Sequence, residues 1–247
     1  MNKNIQIREV TSADVKQIAA VHSVSAYKAY ENIMSKEILE GFWNTQTLEQ
    51  DWSNYISQTK KDENYTAYVA VENGDVIGVL RANNANEHDK IIFDDINESD
   101  MKDYVHFKTI YIHPDHQGRG IGKDFISHAA MDALKKGKKK LMTITTENYE
   151  DSPRFFKSFG AVFAGKHDVD MKEHYDTTTS DSEDSKLVTN VWVMDAKNVL
   201  YISHEKDRKY AEVKEKSIIN IEKYKNNYHN TKQQVPNFVP FKKVVER

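Results

Sequence analysis

A chain of 247 residues, 38% apolar and 30% charged, is long enough to bury a core and too apolar to stay disordered; its length favours one main domain with an appendage, or two small domains. The net charge of −3 gives no general case for nucleic-acid binding, and the absence of cysteine excludes disulfides, thiolate metal sites and cysteine nucleophiles. No apolar run approaches the roughly 20 residues that span a bilayer, and the first ten residues lack the apolar core of a signal peptide, so a soluble, cytoplasmic protein with no membrane partner is expected.

In chain order, Ile5, Ile7 and Val10 begin a first strand, and Thr11 to Asp14 then offers a helix cap with an acid in the first turn. Val15, Ile18, Ala19, His22 and Ala26 fall at helical spacing; Lys36 to Trp43, opened by Ser35, and Thr47 to Lys60 predict two more helices. Tyr65 to Val71 and Val76 to Ala82 are branched apolar runs around Asn73-Gly74, the strongest short hairpin signal. Residues 83–103 are rich in Asn, Asp and Glu and read as an acidic surface insertion with Ile91 to Phe93 as its apolar anchor. Tyr104 to Ile112, Gly120 to Lys136 and Lys140 to Thr146 then predict a strand, helix, strand crossover.

Further on, Ser152-Pro153 suggests the cap and first turn of a short helix over Arg154 to Phe159, ended by Gly160. Ala161 to Ala164 and Leu187 to Met194 predict the last two strands, joined by a polar segment from Lys166 to Lys186. Residues 204–247 carry 11 Lys and Arg against 6 Asp and Glu, with helical spacing over Asp207 to Lys225. As an amphipathic helix this extension packs on the domain or across a homodimer interface; a basic arm for an acidic partner is the alternative.

The chemistry concentrates in Ile110-Tyr111-Ile112-His113-Pro114-Asp115-His116-Gln117-Gly118-Arg119-Gly120-Ile121-Gly122-Lys123. A diphosphate needs several donors converging on a small volume, and amides at a helix start supply them together with the positive end of the helix dipole. Gly118, Gly120 and Gly122 let the backbone approach, and Arg119 and Lys123 can add charge. The spacing is not that of a dinucleotide fingerprint, and Gly122-Lys123 is followed by Asp124 rather than the Ser or Thr of a nucleotide-triphosphate loop.

Gln117-x-x-Gly120-x-Gly122 after a strand ending in Ile112-His113-Pro114 resembles the acetyl-CoA signature of the GCN5-related N-acetyltransferases (GNAT), over residues 5 to about 195. The resemblance implies an α/β (α+β) fold with a mixed, mostly antiparallel sheet flanked by helices. It divides the chain into a domain at 1–195 and a basic, partly helical extension at 196–247. It implies that the signature strand is bulged and splays from its neighbour, so that Ile110, Tyr111 and Ile112 meet the pantetheine arm of acetyl-CoA and Gln117, Gly118, Arg119, Gly120, Ile121, Gly122 and Lys123 its pyrophosphate. Asn148 and Phe155 complete the cofactor set. Tyr27, Tyr30 and Glu31 fall in the region that lines the acceptor cleft, although a core aromatic pair explains the tyrosines equally well.

Acylating an amine requires removal of a proton from nitrogen and, in many relatives, a tyrosine that protonates the leaving thiolate. Phe156 stands where that tyrosine is expected. The resemblance implies a base as well: counting back along the signature strand puts His106 where some histone-acetylating members of the superfamily carry a glutamate, with Glu147 a second candidate and a strand histidine facing solvent or the insertion as the alternative. His167, Asp168, Asp170, Glu173 and His174 match no metal spacing, and the reaction needs no metal. The expected activity is acetyl transfer from acetyl-CoA to a primary amine by direct attack; an acyl-CoA-binding partner module with weak catalysis is the competing reading, favoured by Phe156.

Overall fold

The computed structural model describes residues 5–86, 89, 98–147, 149–170 and 186–209. Seven strands form one sheet in the order β1-β2-β3-β4-β5-β7-β6: β1 Ile5–Glu9, β2 Tyr65–Glu72, β3 Asp75–Asn84, β4 Tyr104–Ile112, β5 Lys140–Thr146, β6 Val162–Asp170 and β7 Lys186–Asp195. Every pairing is antiparallel except β4 with β5, whose parallel alignment follows from the helical crossover between them. The β2–β3 hairpin turns through Asn73 and Gly74, both at positive φ (54° and 95°), as a two-residue primed turn requires.

Helices cover both faces. α1 Val15–Tyr30, α2 Lys36–Phe42 and α3 Thr45–Thr59 bury Ile18, Leu39, Phe42 and Trp52 against one face. α5 Ile121–Lys135 and α6 Asp151–Lys157 bury Phe125, Ile126, Ala130 and Phe156 against the other, while α4 Glu98–Met101 is a single turn. Ser35 accepts from the Ile38 amide at the start of α2, as its sequence suggests. The start of α3 lies two residues earlier than expected because Asn44 is its cap, accepting from the Thr47 amide at 2.8 Å.

Two further boundaries differ from the sequence reading. Helix α6 begins at Asp151 with Glu150 as its N-cap, so Pro153 sits at the third helical position, where its missing N–H leaves no bond unmade. Strand β6 continues to Asp170: Lys166, His167, Asp168, Val169 and Asp170 pair with Asn190 back to Lys186, so residues read as a polar connection are ladder. The chain divides into compact units at Met1–Ser203 and His204–Arg247. Residues 196–203 form helix α7 in the first unit, with Ala196 and Val199 fully buried beside Phe159. Of the second unit, residues 204–209 are described; they are helical, with Arg208 paired to Glu205 at 2.8 Å. Ile91 to Phe93, Glu173, His174 and the helix expected beyond 209 lie outside the described residues, among which no helix is long and apolar enough to cross a membrane.

The entry into α1 fixes where its side chains point. Asp14 is buried and takes a bidentate bond from Arg8 (2.7 and 2.8 Å) and one from the Thr11 amide (2.7 Å). Its carboxyl is pulled down to about 2, chiefly by the Arg8 hydrogen bonds, with burial opposing. Because the folded value lies below the unfolded one, the stabilisation is complete above about pH 4 and disappears as pH falls toward 2. Asp14→Asn is expected to lower stability by about 1–2 kcal/mol at pH 7, with the difference from wild type closing below pH 4 in urea unfolding curves.

Candidate active site

Strand β4 carries one residue too many for its partner. Thr109 pairs with Arg81 and Phe107 with Ala82, leaving Lys108 as a bulge. An extra residue reverses the alternation of faces. Val105 and Phe107 point toward α5 before the bulge; after it Ile110 and Ile112 do, and Tyr111 turns toward α1. On its other edge β4 pairs with β5 only from Tyr104↔Lys140 to Phe107↔Thr143, whereas β5 stays paired with β7 as far as Thr146↔Thr189. The Thr143 hydroxyl donates to the Phe107 carbonyl at 3.2 Å, closing the ladder where the strands part.

A cavity of about 340 Å³ fills this fork. Ile110, Tyr111 and Ile112 border it from β4 and Ile144, Thr145 and Thr146 from β5. Gln117, Gly122 and Phe155 form one end, and α1 and Trp43 contribute a wall of His22, Ser25 and Tyr30. The Ile112 carbonyl is held from two sides, by Ser25 Oγ and by Gln117 Nε2, each at 3.1 Å, so the end of β4 is tied to both α1 and the loop that follows.

That loop is shaped by its glycines. Gly118 and Gly120 take positive φ (71° and 88°), and Gly120 occupies the N-cap of α5. The first intrahelical bond runs from the Asp124 amide to the Gly120 carbonyl, and no side chain caps the turn before it, so donors at this helix start face outward. Gly122 is small for a different reason: a Cβ there would lie 2.9 Å from Cζ of Phe155. Arg119 is turned away from the helix start. Its guanidinium forms a bidentate pair with Glu72 on β2 (2.5 and 2.8 Å) and donates to Nδ1 of His116 at 2.8 Å, which holds the Glu72 carboxyl below its usual range. Lys123 pairs with Asp124 at 3.2 Å. Sequence reasoning expected both cations to add charge at the phosphate position; in the structure each is paired with a carboxylate.

The expected residues divide accordingly. Ile110, Tyr111, Ile112, Gln117, Gly122, Phe155 and Tyr30 border the cavity, with Tyr30 stacked on Trp43 at 4.8 Å. Tyr27 lies on the outer side of α1 and Glu31 pairs with Lys28 at 2.5 Å; neither borders it. His106 does not border it either. It is buried between Asn83 and Met142 with Nδ1 2.8 Å from Asp89, a residue of the insertion that also takes Lys108 Nζ at 2.5 Å. Burial opposes ionisation of Asp89, but the His106 bond and the charges of His106 and Lys108 hold its carboxyl well below the usual range. Glu147 is tied to Lys166, and Asn148 lies outside the described residues. No cluster of metal-ligating side chains occurs among the described residues.

His22, Ser25, Trp43, Thr109 and Tyr149 border the cavity without having been singled out by their sequence. Only His22 gave a signal, as the one imidazole on the apolar stripe of α1.

A sequence model of the acetyltransferase (GNAT) family matches residues 29–161, more than half of the chain. The chain belongs to the GNAT acetyltransferase family. Among curated proteins it is 27% identical over 120 residues to the L-amino acid N-acyltransferase MnaT of Escherichia coli K12; the match covers 49% of this chain and 63% of that protein. Its fold is that of the PaiA N-acetyltransferase from Thermoplasma acidophilum in complex with coenzyme A (TM-score 0.56, 16% identity, 77% of this chain and 98% of that one). It is also that of YncA from Salmonella typhimurium with its cofactor acetyl-CoA (TM-score 0.54, 18% identity, 78% and 94%).

Gly122→Ala is expected to weaken CoA binding about tenfold or more in calorimetric titration, because Phe155 has to move to admit the methyl group. Adding Phe155→Ala to that variant should recover part of the loss; equal loss in the single and double variants would show that the contact is not the cause.

Proposed function

We propose that this GNAT family member transfers the acetyl group of acetyl-CoA to a primary amine of a small molecule or peptide by direct attack within a ternary complex. The observation that carries this reading is the fork: a cavity lies between two strand edges whose backbone groups are unpaired toward each other, and one end of it reaches Gln117 and Gly122 at the start of α5. An extended amide-containing arm matches such edges, and a pyrophosphate matches the amides of a glycine-rich helix start. Ile110, Tyr111 and Ile112 then hold the arm, and the backbone from Gln117 to Lys123 holds the diphosphate. Arg119 serves by anchoring the loop to Glu72.

In the reaction the amine lone pair attacks the thioester carbonyl carbon, the carbon–sulfur bond breaks, and the proton lost from nitrogen is balanced by the one the thiolate gains. No acyl-enzyme on cysteine can intervene, since the chain has none. His106 does not border the cavity and its Nδ1 faces Asp89, so water in the cavity takes the proton in this reading. Phe156 borders the cavity and has no proton to give, but Tyr149 borders it as well. Burial, followed by the nearby charge of Asp151, raises its pKa, so its phenol stays protonated and can serve the departing sulfur.

Acetyl-CoA mixed with a panel of primary amines is expected to release free thiol with at least one of them, and Tyr149→Phe to lower kcat about tenfold or more while CoA affinity is unchanged. Saturable CoA binding with no thiol release on any amine would instead favour the binding-module reading that Phe156 suggests.

A further inference from the structure

His22 is a buried histidine that the reaction as described does not use. It is 1% exposed, yet its ring forms part of the cavity wall. Trp52 donates its indole N–H to Nδ1 at 3.0 Å, and the indole has no other role open to it, since it can only donate. Nδ1 must therefore carry a lone pair. In a neutral ring the proton then sits on Nε2, the nitrogen that no described residue engages and that is left to meet a ligand.

The surroundings keep the ring neutral. Burial, and after it the charge of Arg81, push the His22 pKa well below its ordinary value. Arg81 lies over the faces of Trp52 and Tyr55, 5.2 and 5.3 Å from their centroids, pairs with Asp51 at 2.6 Å and donates to Thr109 Oγ1 at 3.0 Å. Thr109 also borders the cavity; with its oxygen turned to a cation, its hydroxyl proton points elsewhere. Tyr111, brought to this face by the Lys108 bulge, packs on the imidazole at 4.6 Å between centroids and fixes its plane. This part of the wall thus presents a fixed N–H donor at His22. An oxygen atom is favoured there, whereas an ammonium group meets the wrong polarity.

We propose that His22 Nε2–H receives an oxygen of the acceptor molecule, so that the site selects amines bearing a carbonyl or carboxylate oxygen beside the amine over amines that lack one. This rests on the acyl-transfer reading. It makes His22 a specificity-determining residue whose Trp52 bond sets the tautomer and whose other nitrogen reads the acceptor. A purely structural His22 would need only Nδ1.

Two amide substitutions separate these roles, because Gln places its N–H₂ near the position of Nε2 and Asn places its oxygen near that of Nδ1. The readout is the ratio of kcat/KM for methionine over 3-(methylthio)propylamine, and for phenylalanine over phenethylamine, with acetyl-CoA saturating; a ratio within one preparation is unaffected by the fraction folded. Wild type should prefer the carboxylate-bearing member of each pair about tenfold or more. His22→Gln should keep most of that preference and His22→Asn bring it close to one. Wild-type ratios near one, retention of the preference in His22→Asn, or equal loss in both variants would overturn the proposal. Absence of thiol release with all four amines would instead overturn the acyl-transfer reading beneath it.

Discussion

Strand β4 parts from β5 immediately after Phe107, and the surroundings of the cavity follow from that separation. The Lys108 bulge adds a residue to β4 against β3, increases the local twist and reverses which side chains face which helix layer. Without it Tyr111 would face α5 and leave the α1 wall, and Ile110 and Ile112 would leave the core they share with Phe125. The fork leaves backbone donors and acceptors exposed on two edges inside the fold, a costly arrangement unless something polar and extended occupies the gap.

The charges nearby are arranged to leave that gap close to neutral. Arg119 is neutralised by Glu72, Lys108 by Asp89, Arg81 by Asp51, and Lys123 lies against Asp124. A diphosphate received at this helix start, as proposed above, would meet oriented amides and the helix dipole rather than a cluster of unpaired cations. The ion pairs act on geometry: Glu72 and Arg119 tie the loop before α5 to β2, and Asp89 ties the insertion to the underside of the bulge.

The fold was legible wherever local rules decide. The Asn73-Gly74 hairpin, the β4 and β5 boundaries and the glycine loop follow from turn chemistry and periodicity, and the resemblance to GNAT enzymes supplied the mixed, mostly antiparallel sheet and the bulge. Long-range features escaped. Nothing local shows that Lys166 to Asp170 find partners in Lys186 to Asn190, or that Ala196 and Val199 belong to the main core. The direction of Arg119 depends on Glu72, 47 residues away in sequence, and the enclosure of His106 on an aspartate of the insertion. His22 was visible as a polar interruption of an apolar stripe, but its tautomer is set by Trp52, 30 residues further on.

Coenzyme A received by the fork and the helix start together is to be seen in amide hydrogen exchange measured with and without saturating CoA. Exchange is predicted to slow at residues 109–112 and 118–123 and at 144–146 across the gap, while the outer strand β1 is unaffected. CoA binding that leaves these amides exchanging as before, or that protects a different surface, would contradict it.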